Sequence, residues 1–207
     1  MTSKRINALS YVWGPLSRLG LGVAVAAFAV DQAHKWWMLL RVGMRENDKI
    51  VVTPFFDWFF VTNKGVSYSF LTSSSQSWQI SLAIFSVIAT LALAVWLARG
   101  VGDALTAASI GLIMGGALGN GLDRLTLGGV ADFFYLHAPL RRWLEQLKLG
   151  WLADLITLAQ GDSYWYVFNI ADVAIVAGVI GLLYESVSGR GVNSLAPAAT
   201  KAPQTDS

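Results

Sequence analysis

The protein has 207 residues, of which 55% are hydrophobic and only 14% are charged, and its mean hydropathy is positive. This composition is outside the usual range for soluble globular domains and indicates an integral membrane protein. The net charge of +2 and the scattered Lys and Arg residues exclude a nucleic-acid surface but suit anionic lipid head groups. The sequence has no Cys, which excludes thiol nucleophiles, and its two His residues belong to no HExxH pattern. Neither a metal nor a cofactor is predicted.

Four apolar segments are each close to the roughly 20 residues that a membrane-spanning helix requires. They cover residues 18–40, 77–98, 104–123 and 167–187. The predicted fold class is therefore an all-α polytopic membrane protein, with both termini on the same side because the number of spans is even. Residues 1–189 form a single membrane-embedded domain in this prediction. Residues 190–207, rich in Ala, Pro, Thr and Ser, are predicted to be a disordered tail.

The first segment has an alternative interpretation as a cleaved signal peptide. Basic residues precede the apolar run "LGLGVAVAAFAV", which is the order found in a signal peptide. The apolar character resumes after Lys35 at "WWMLL", however, and this favours one long helix interrupted by a polar turn. Asp31 and Lys35 then lie four residues apart, on one face of that helix.

The segments that follow differ in character. The second span contains no charged residue and is predicted to be purely structural. In the third, Gly111, Gly115 and Gly119 form a small-residue stripe that allows another helix to approach closely. Between the first two spans, "KIVVTPFFDWFFVTNKGVSYSFL" is rich in β-branched and aromatic residues and predicts a small β-sheet outside the bilayer.

Orientation is predicted from the first helix and not from the total charge. More Lys and Arg residues lie in the loops of the proposed outer side than in those of the proposed cytoplasmic side. The short N-terminus without acidic residues and the very short connection at Arg99 nevertheless favour cytoplasmic termini, because the first helix usually dominates the positive-inside rule.

Polar residues cluster at the end of the third span and at the start of the fourth. Asn120, Asp123 and Arg124 share one helix face, and Asp132 follows after a Gly-Gly turn. In the fourth span, Asn169 and Asp172 are again three residues apart. Consecutive spans run antiparallel, so these two ends share one membrane surface. An ionisable residue beside a span indicates function, although an ion pair that locks helices together is the alternative.

Asp132 and Asp172 can meet at this surface. Two facing carboxylates without metal ligands suggest an aspartyl dyad, in which repulsion leaves one proton shared and provides one acid and one base. The alternatives are a proton or ion pathway in a small coupled transporter and a serine mechanism built on Ser67 and Lys64. A transporter usually has acids along the membrane midplane and repeated halves, which this chain lacks.

Four stretches in the same order resemble the bacterial lipoprotein signal peptidases, also called prolipoprotein or type II signal peptidases. They are "DQAHK" from Asp31 to Lys35, "NKGVSYSFL" from Asn63, "GNGLDRLTLGGVADF" ending beyond Asp132, and "FNIADVAI" around Asn169 and Asp172. The "GxGD" signature of presenilin-type proteases is absent, since Gly119 and Asn120 precede Asp123 with the wrong spacing.

The resemblance implies four transmembrane helices, a periplasmic β-cradle and a catalytic pair, Asp132 and Asp172, at the periplasmic surface of the bacterial inner membrane. It implies cleavage of diacylglyceryl prolipoproteins just before the lipidated Cys, by a chain expected to be monomeric and surrounded by membrane lipids. The other residues implied are substrate-binding and supporting groups: Asn63, Gly65, Asn120, Asp123, Arg124 and Asn169 for the substrate, and Asp31 and Lys35 for support.

The chain departs from the family between Asp132 and Phe168, where it is longer than is typical. Leu and Trp residues there follow helical spacing, so the insert at 134–167 is predicted to be an amphipathic periplasmic helix or helical hairpin. Its two interpretations are a surface elaboration without effect on the chemistry and a lid over the substrate lipid.

Overall fold

The computed structural model describes residues 14–53, 56–65, 75–136, 146, 148, 150–151 and 167–188. Four long α-helices carry this part of the chain: α1 (Ser17–Trp36), α2 (Gln76–Ala98), α3 (Ala104–Thr126) and α4 (Ile170–Ser188). A π-helical segment, Trp37–Val42, extends α1. The other elements are the strands β1 (Lys49–Thr53), β2 (Phe56–Asn63), β3 (Val130–Leu136) and β4 (Val167–Phe168).

Helix α3 is the centre of the helical layer, because α1, α2 and α4 all pack against it. Its glycines allow the close approach that the small-residue stripe predicted. A Cβ on Gly111 or Gly115 would collide with backbone carbonyls of α1, and one on Gly116 would meet the Ala171 carbonyl of α4. A buried apolar cluster that includes Ala107, Ile110 and Met114 fills the space around α3. The close contacts between helix backbones therefore determine how α1 and α4 are positioned on α3.

Helices α2, α3 and α4 are long and apolar enough to cross a membrane. Helix α1 is comparable in length but ends in a polar turn that contains Asp31, Gln32 and Lys35, and this turn lowers its hydropathy. All three of these side chains are buried. The polar turn faces the other helices and not lipid, as expected for ionisable groups in a membrane helix.

The strands form one antiparallel sheet in the order β1-β2-β3-β4. Val61 of β2 lies opposite Asp132 of β3, and Asn63 lies opposite Val130. Phe60 of β2 stacks on Phe133 of β3 with ring centroids 4.9 Å apart, above the buried Met38 of the π-helical segment. This apolar contact attaches the sheet to the end of α1.

The sequence predicted α2, α3 and α4 as apolar helices long enough to span a membrane, and it predicted the first half of the sheet. The predicted fold was all-α with a small cradle, whereas β3 and β4 extend that cradle into a four-stranded sheet. The fourth span was predicted to start at residue 167, but residues 167 and 168 pair with β3 and the helix begins at Ile170. Most of the insert at 134–167 and the tail at 190–207 lie outside the described residues.

Candidate active site

Asp132 and Asp172 come from different elements that meet at one end of the helical layer. Helix α3 ends at Thr126, and Gly128, with φ of +73°, allows the sharp turn that starts β3. Asp132 is the third residue of β3 and is only 1% exposed. Asp172 lies in the first turn of α4 and is partly buried. The predicted meeting of the two carboxylates is therefore present in the fold.

Two amide side chains hold the carboxylate of Asp132. Asn169 Nδ2 donates to its Oδ1 at 2.6 Å, and Asn63 Nδ2 donates to its Oδ2 at 3.2 Å. Asn63 can reach it because Val61 lies directly opposite Asp132 on β2, which places Asn63 diagonally across the same face. Both oxygens of Asp132 thus accept an N–H donor.

Asp172 is held by a reciprocal cap at the start of α4. The backbone N–H of Asp172 donates to Asn169 Oδ1 at 2.9 Å, and the backbone N–H of Asn169 donates to Asp172 Oδ2 at 3.2 Å. This is the arrangement of a capping box, which satisfies two otherwise unpaired N–H groups of the helix. The other oxygen of Asp172 accepts from Asn120 Nδ2 at 2.8 Å. One asparagine, Asn169, therefore contacts both carboxylates.

The orientation of each amide follows from its partners. Asn169 Oδ1 accepts from a backbone N–H, so its NH₂ group must face Asp132. Asn120 Oδ1 lies 3.2 Å from the Lys35 ammonium, which can only donate, so its NH₂ group must face Asp172. Both amides thus present donors to the carboxylate pair.

The pKa of Asp132 is raised well above its ordinary range. Burial is the largest cause, because it disfavours the charged form, and the neighbouring Asp172 carboxylate adds to it. The hydrogen bonds from Asn169 and Asn63 act in the opposite direction, as does the positive charge of Lys35. Burial and the neighbouring carboxylate therefore favour the protonated form of Asp132.

A second group of polar side chains, the lysine cluster, lies directly behind the pair and consists of Asp31, Gln32, Lys35 and Asp123. The Lys35 ammonium is 2.8 Å from Asp31 Oδ2 and 2.6 Å from Asp123 Oδ2. With Asn120 as third acceptor, its three N–H donors are all used. Gln32 Nε2 donates to Asp123 Oδ1 at 3.0 Å. Each member of the cluster is at most 8% exposed.

The lysine cluster also fixes the backbone on either side of the carboxylate pair. Asp31 Oδ1 accepts from the N–H of Ala171 at 2.9 Å, next to Asp172. Asp123 Oδ2 accepts from the N–H of Ala131 at 3.2 Å, next to Asp132. A carboxylate at a helix N-terminus is favourable because it satisfies a free N–H and complements the helix dipole. The cluster thus positions both acidic residues through their neighbours.

Arg124, near the end of α3, contacts the chain just after β2 at Gly65. Arg124 Nη1 donates to the Asn120 carbonyl at 3.0 Å, and Nη2 donates to the Gly65 carbonyl at 3.3 Å. Arg124 is 9% exposed. Both of these hydrogen bonds are to backbone carbonyls, so Arg124 ties the end of α3 to the chain after β2.

All the site residues named from the sequence lie at this end of the molecule. Sequence reasoning missed two further participants, Gln32 of the lysine cluster and Gln79 of α2, whose Nε2 donates to the Lys64 carbonyl at 2.8 Å. Each of these glutamines lies near one end of an apolar helix, where a buried amide needs a hydrogen-bond partner. This position was the signal in the sequence that could have identified them. In the part of the chain that is described, no group of three His, Asp or Glu side chains could hold a metal ion.

Comparison with known proteins identifies the family of this chain. A family model described as signal peptidase (SPase) II matches residues 23–188. The chain belongs to the signal peptidase II family. It is therefore similar to peptidases of bacterial membranes, and the segments that build the carboxylate pair and the lysine cluster all lie within the matched range.

Individual relatives agree with this assignment. A lipoprotein signal peptidase of Rhodopseudomonas palustris is 41% identical over 173 residues, which cover 83% of this chain and 93% of the relative. One of Methylocella silvestris is 38% identical over 177 residues, covering 85% of this chain and 90% of the relative. A bacterial membrane enzyme solved by the in meso method at 2.3 Å resolution has a TM-score of 0.62 and 22% identity, covering 88% of this chain and 94% of the other. That likeness supports the fold.

Proposed function

We propose that this protein removes the signal peptide from diacylglyceryl-modified prolipoproteins by cutting just before the lipidated Cys, with Asp132 and Asp172 as a metal-free catalytic dyad. The observation that carries the mechanism is that Asn169 contacts both carboxylates: its side-chain amide donates to Asp132 Oδ1, and its backbone N–H donates to Asp172 Oδ2. The family assignment and the names of the relatives carry the substrate class.

The reaction assigns different roles to the two acids. Asp172, ionised and held by two N–H donors, takes a proton from a water molecule whose oxygen bonds to the scissile carbonyl carbon. Asp132, whose raised pKa favours the protonated form, gives its proton to the carbonyl oxygen. The C–N bond then breaks. Asp172 passes its proton to the leaving Cys nitrogen, and Asp132 recovers its own from the intermediate.

The products of these steps are a signal peptide with a new carboxyl group and a lipidated Cys with a free amine. Asp132 and Asp172 return to their starting protonation states. Asn63, Asn120 and Asn169 keep the carboxylates in place throughout, because every one of their contacting N–H groups points at the pair. Apart from the attacking water molecule and the substrate, every step uses only the two carboxyl groups.

The location of the dyad fits a lipid-anchored substrate. Asp172 lies in the first turn of α4, and Asn120 lies near the end of α3, so the site is at the end of two membrane-spanning helices. A diacylglyceryl group buried in the bilayer holds the adjacent peptide bond close to the membrane surface. We assign this surface to the periplasmic side of the inner membrane, with four spans, cytoplasmic termini and a monomeric chain.

Asn63 and Gly65 are proposed to border the substrate path, and Asn120 and Asn169 to face the scissile bond. Arg124 and Asp123, which are also proposed for this group, have buried contacts that suit a supporting role: Arg124 holds the Gly65 carbonyl and Asp123 holds Lys35. Asp31 and Lys35 remain supporting residues. No metal or cofactor is part of the proposal.

The direct test is incubation of the purified protein with a lipidated lipobox peptide and with a counterpart in which Ser replaces the lipidated Cys. Mass spectrometry of the products should show cleavage of the lipidated peptide immediately before its Cys and none of the Ser peptide. Equal cleavage of both peptides would contradict the assigned substrate class, and no cleavage of either would contradict the function.

The proposed orientation predicts the labelling of single Cys residues in a chain that naturally has none. Asp48, before β1, is exposed and should face the periplasm, whereas Val101, between α2 and α3, should face the cytoplasm. In cells with a permeabilised outer membrane, an impermeant thiol reagent should label Asp48→Cys and not Val101→Cys. Both should react after detergent lysis. The reverse pattern in intact inner membranes would contradict the orientation.

A further inference from the structure

We propose that Gln79 of helix α2 is a positioning residue for the reaction, because it holds the loop of residues 63–65 so that the Asn63 side chain stays against Asp132. This inference rests on the proposed function of the dyad. It gives a role in the site to the one helix that the sequence predicted to be purely structural.

The loop begins at the end of β2, where Asn63 makes two contacts. Its Nδ2 donates to Asp132 Oδ2 at 3.2 Å, and its Oδ1 accepts from the backbone N–H of Gly65 at 3.0 Å. The second contact determines the first: with Oδ1 turned towards Gly65, the NH₂ group of Asn63 faces the carboxylate. The position of the loop backbone therefore sets the donor that Asp132 receives.

Two buried side chains from different helices hold consecutive carbonyls of this loop. Gln79 Nε2 donates to the Lys64 carbonyl at 2.8 Å, and Arg124 Nη2 donates to the Gly65 carbonyl at 3.3 Å. The shorter of the two bonds comes from Gln79. The loop that carries Asn63 is thus attached to α2 and α3 as well as to the sheet.

The hydrogen bond of Gln79 is energetically important because the side chain is buried. Gln79 is 2% exposed, in the first turn of a helix whose outer face is apolar. An amide removed from water costs free energy unless it is hydrogen-bonded, so the buried amide of Gln79 favours the loop position in which Nε2 donates to the Lys64 carbonyl. Without this donor, the loop that carries Asn63 loses its attachment to α2 and can shift relative to Asp132.

The test uses the full chain and the lipidated peptide, with kcat/KM measured across pH. Gln79→Met keeps the length of the side chain and removes its donor. Gln76→Met is the matched control, because Gln76 is exposed three residues earlier on the same helix. Asn63→Ala and the double variant of Asn63 and Gln79 complete a double-mutant cycle, which isolates the coupling between the two residues.

We expect Gln79→Met to lower kcat/KM about tenfold, a typical cost for one buried hydrogen bond, and Gln76→Met to leave it unchanged. The alkaline limb of the pH profile should also move to higher pH. The Asn63 hydrogen bond lowers the pKa of Asp132, so weakening that bond lets Asp132 keep its proton to higher pH. In the Asn63→Ala background, Gln79→Met should add less than about a twofold loss and no further shift.

Independent effects of the two substitutions, or a lower kcat/KM with an unmoved pH profile, would overturn the positioning role. If Gln79→Met does not fold, Gln79→Asn decides the question, because it keeps a buried amide that is too short to reach the Lys64 carbonyl. It should show the same loss and the same shift. Wild-type activity that Asp172→Asn abolishes would support the dyad whatever Gln79 does, whereas an inactive wild type would contradict both proposals.

Discussion

Asp132→Asn and Asp172→Asn should each lower turnover of the lipidated peptide by roughly three orders of magnitude or more. Asn has nearly the shape of Asp but can neither accept a proton from water nor share one with its neighbour. Since both acids are needed for one cycle, each variant alone should reach the background rate. Asp48→Asn, at an exposed site before β1, should leave turnover unchanged.

The same variants separate catalysis from stability. The pKa of Asp132 is raised in the folded protein, so this carboxyl stabilises the fold while it is protonated and loses that contribution as pH rises through the raised value. Asn is neutral at every pH. Asp132→Asn should therefore melt at the wild-type temperature in acid and above it at alkaline pH, when melting is followed in detergent. A lower melting temperature at alkaline pH, or substantial turnover by either variant, would contradict the assigned dyad.

Lys35→Met should cause the largest loss of stability of any single substitution considered. It leaves the Asp31 and Asp123 carboxylates buried without their cation, and breaking a buried pair in this way costs about 3–5 kcal/mol. Activity should fall as well, because Lys35 fixes the amide of Asn120 against Asp172. Thermal melting in detergent and peptide turnover measure the two effects.

Two further variants test whether unpaired charge causes the loss of stability in Lys35→Met. Arg41→Met removes a cation from an exposed position six residues further along and should change the melting temperature little. Adding Asp123→Asn to Lys35→Met should recover part of the lost stability, because one of the two unpaired carboxylates becomes neutral. If the double variant is less stable than Lys35→Met alone, the lysine cluster acts through packing and not through charge balance.

Local patterns in the sequence were sufficient to predict much of this site. Asn120, Asp123 and Arg124 share a helix face, and Gly128 marks the turn that brings Asp132 back to that face. The antiparallel arrangement of consecutive spans then places Asp172 nearby. These inferences needed only helical periodicity and the order of the spans.

The contacts between distant segments were not predictable in the same way. Strand β3 has the composition of a strand, but its pairing with β2 depends on how α3 ends in space. Gln79 gave no periodic signal, because a single polar residue on an apolar helix does not reveal its partner 15 residues away. The hydrogen bond from Ala171 to Asp31 joins residues 140 positions apart. Such contacts depend on the three-dimensional packing of α1, α3 and α4.

That last contact has a consequence for how the protein is made. Asp31 lies in α1, which leaves the ribosome before α2, α3 and α4, and the N–H group from which Asp31 accepts lies in α4. Until α4 is synthesised and inserted, Asp31 lacks this donor, Asn120 lacks Asp172, and Asp132 lacks Asn169. A nascent chain that has not reached residue 172 therefore lacks the proposed dyad. Synthesis of α4 therefore completes both the helical layer and the proposed dyad, so chains that terminate before α4 are expected to be inactive towards the membrane proteins around them.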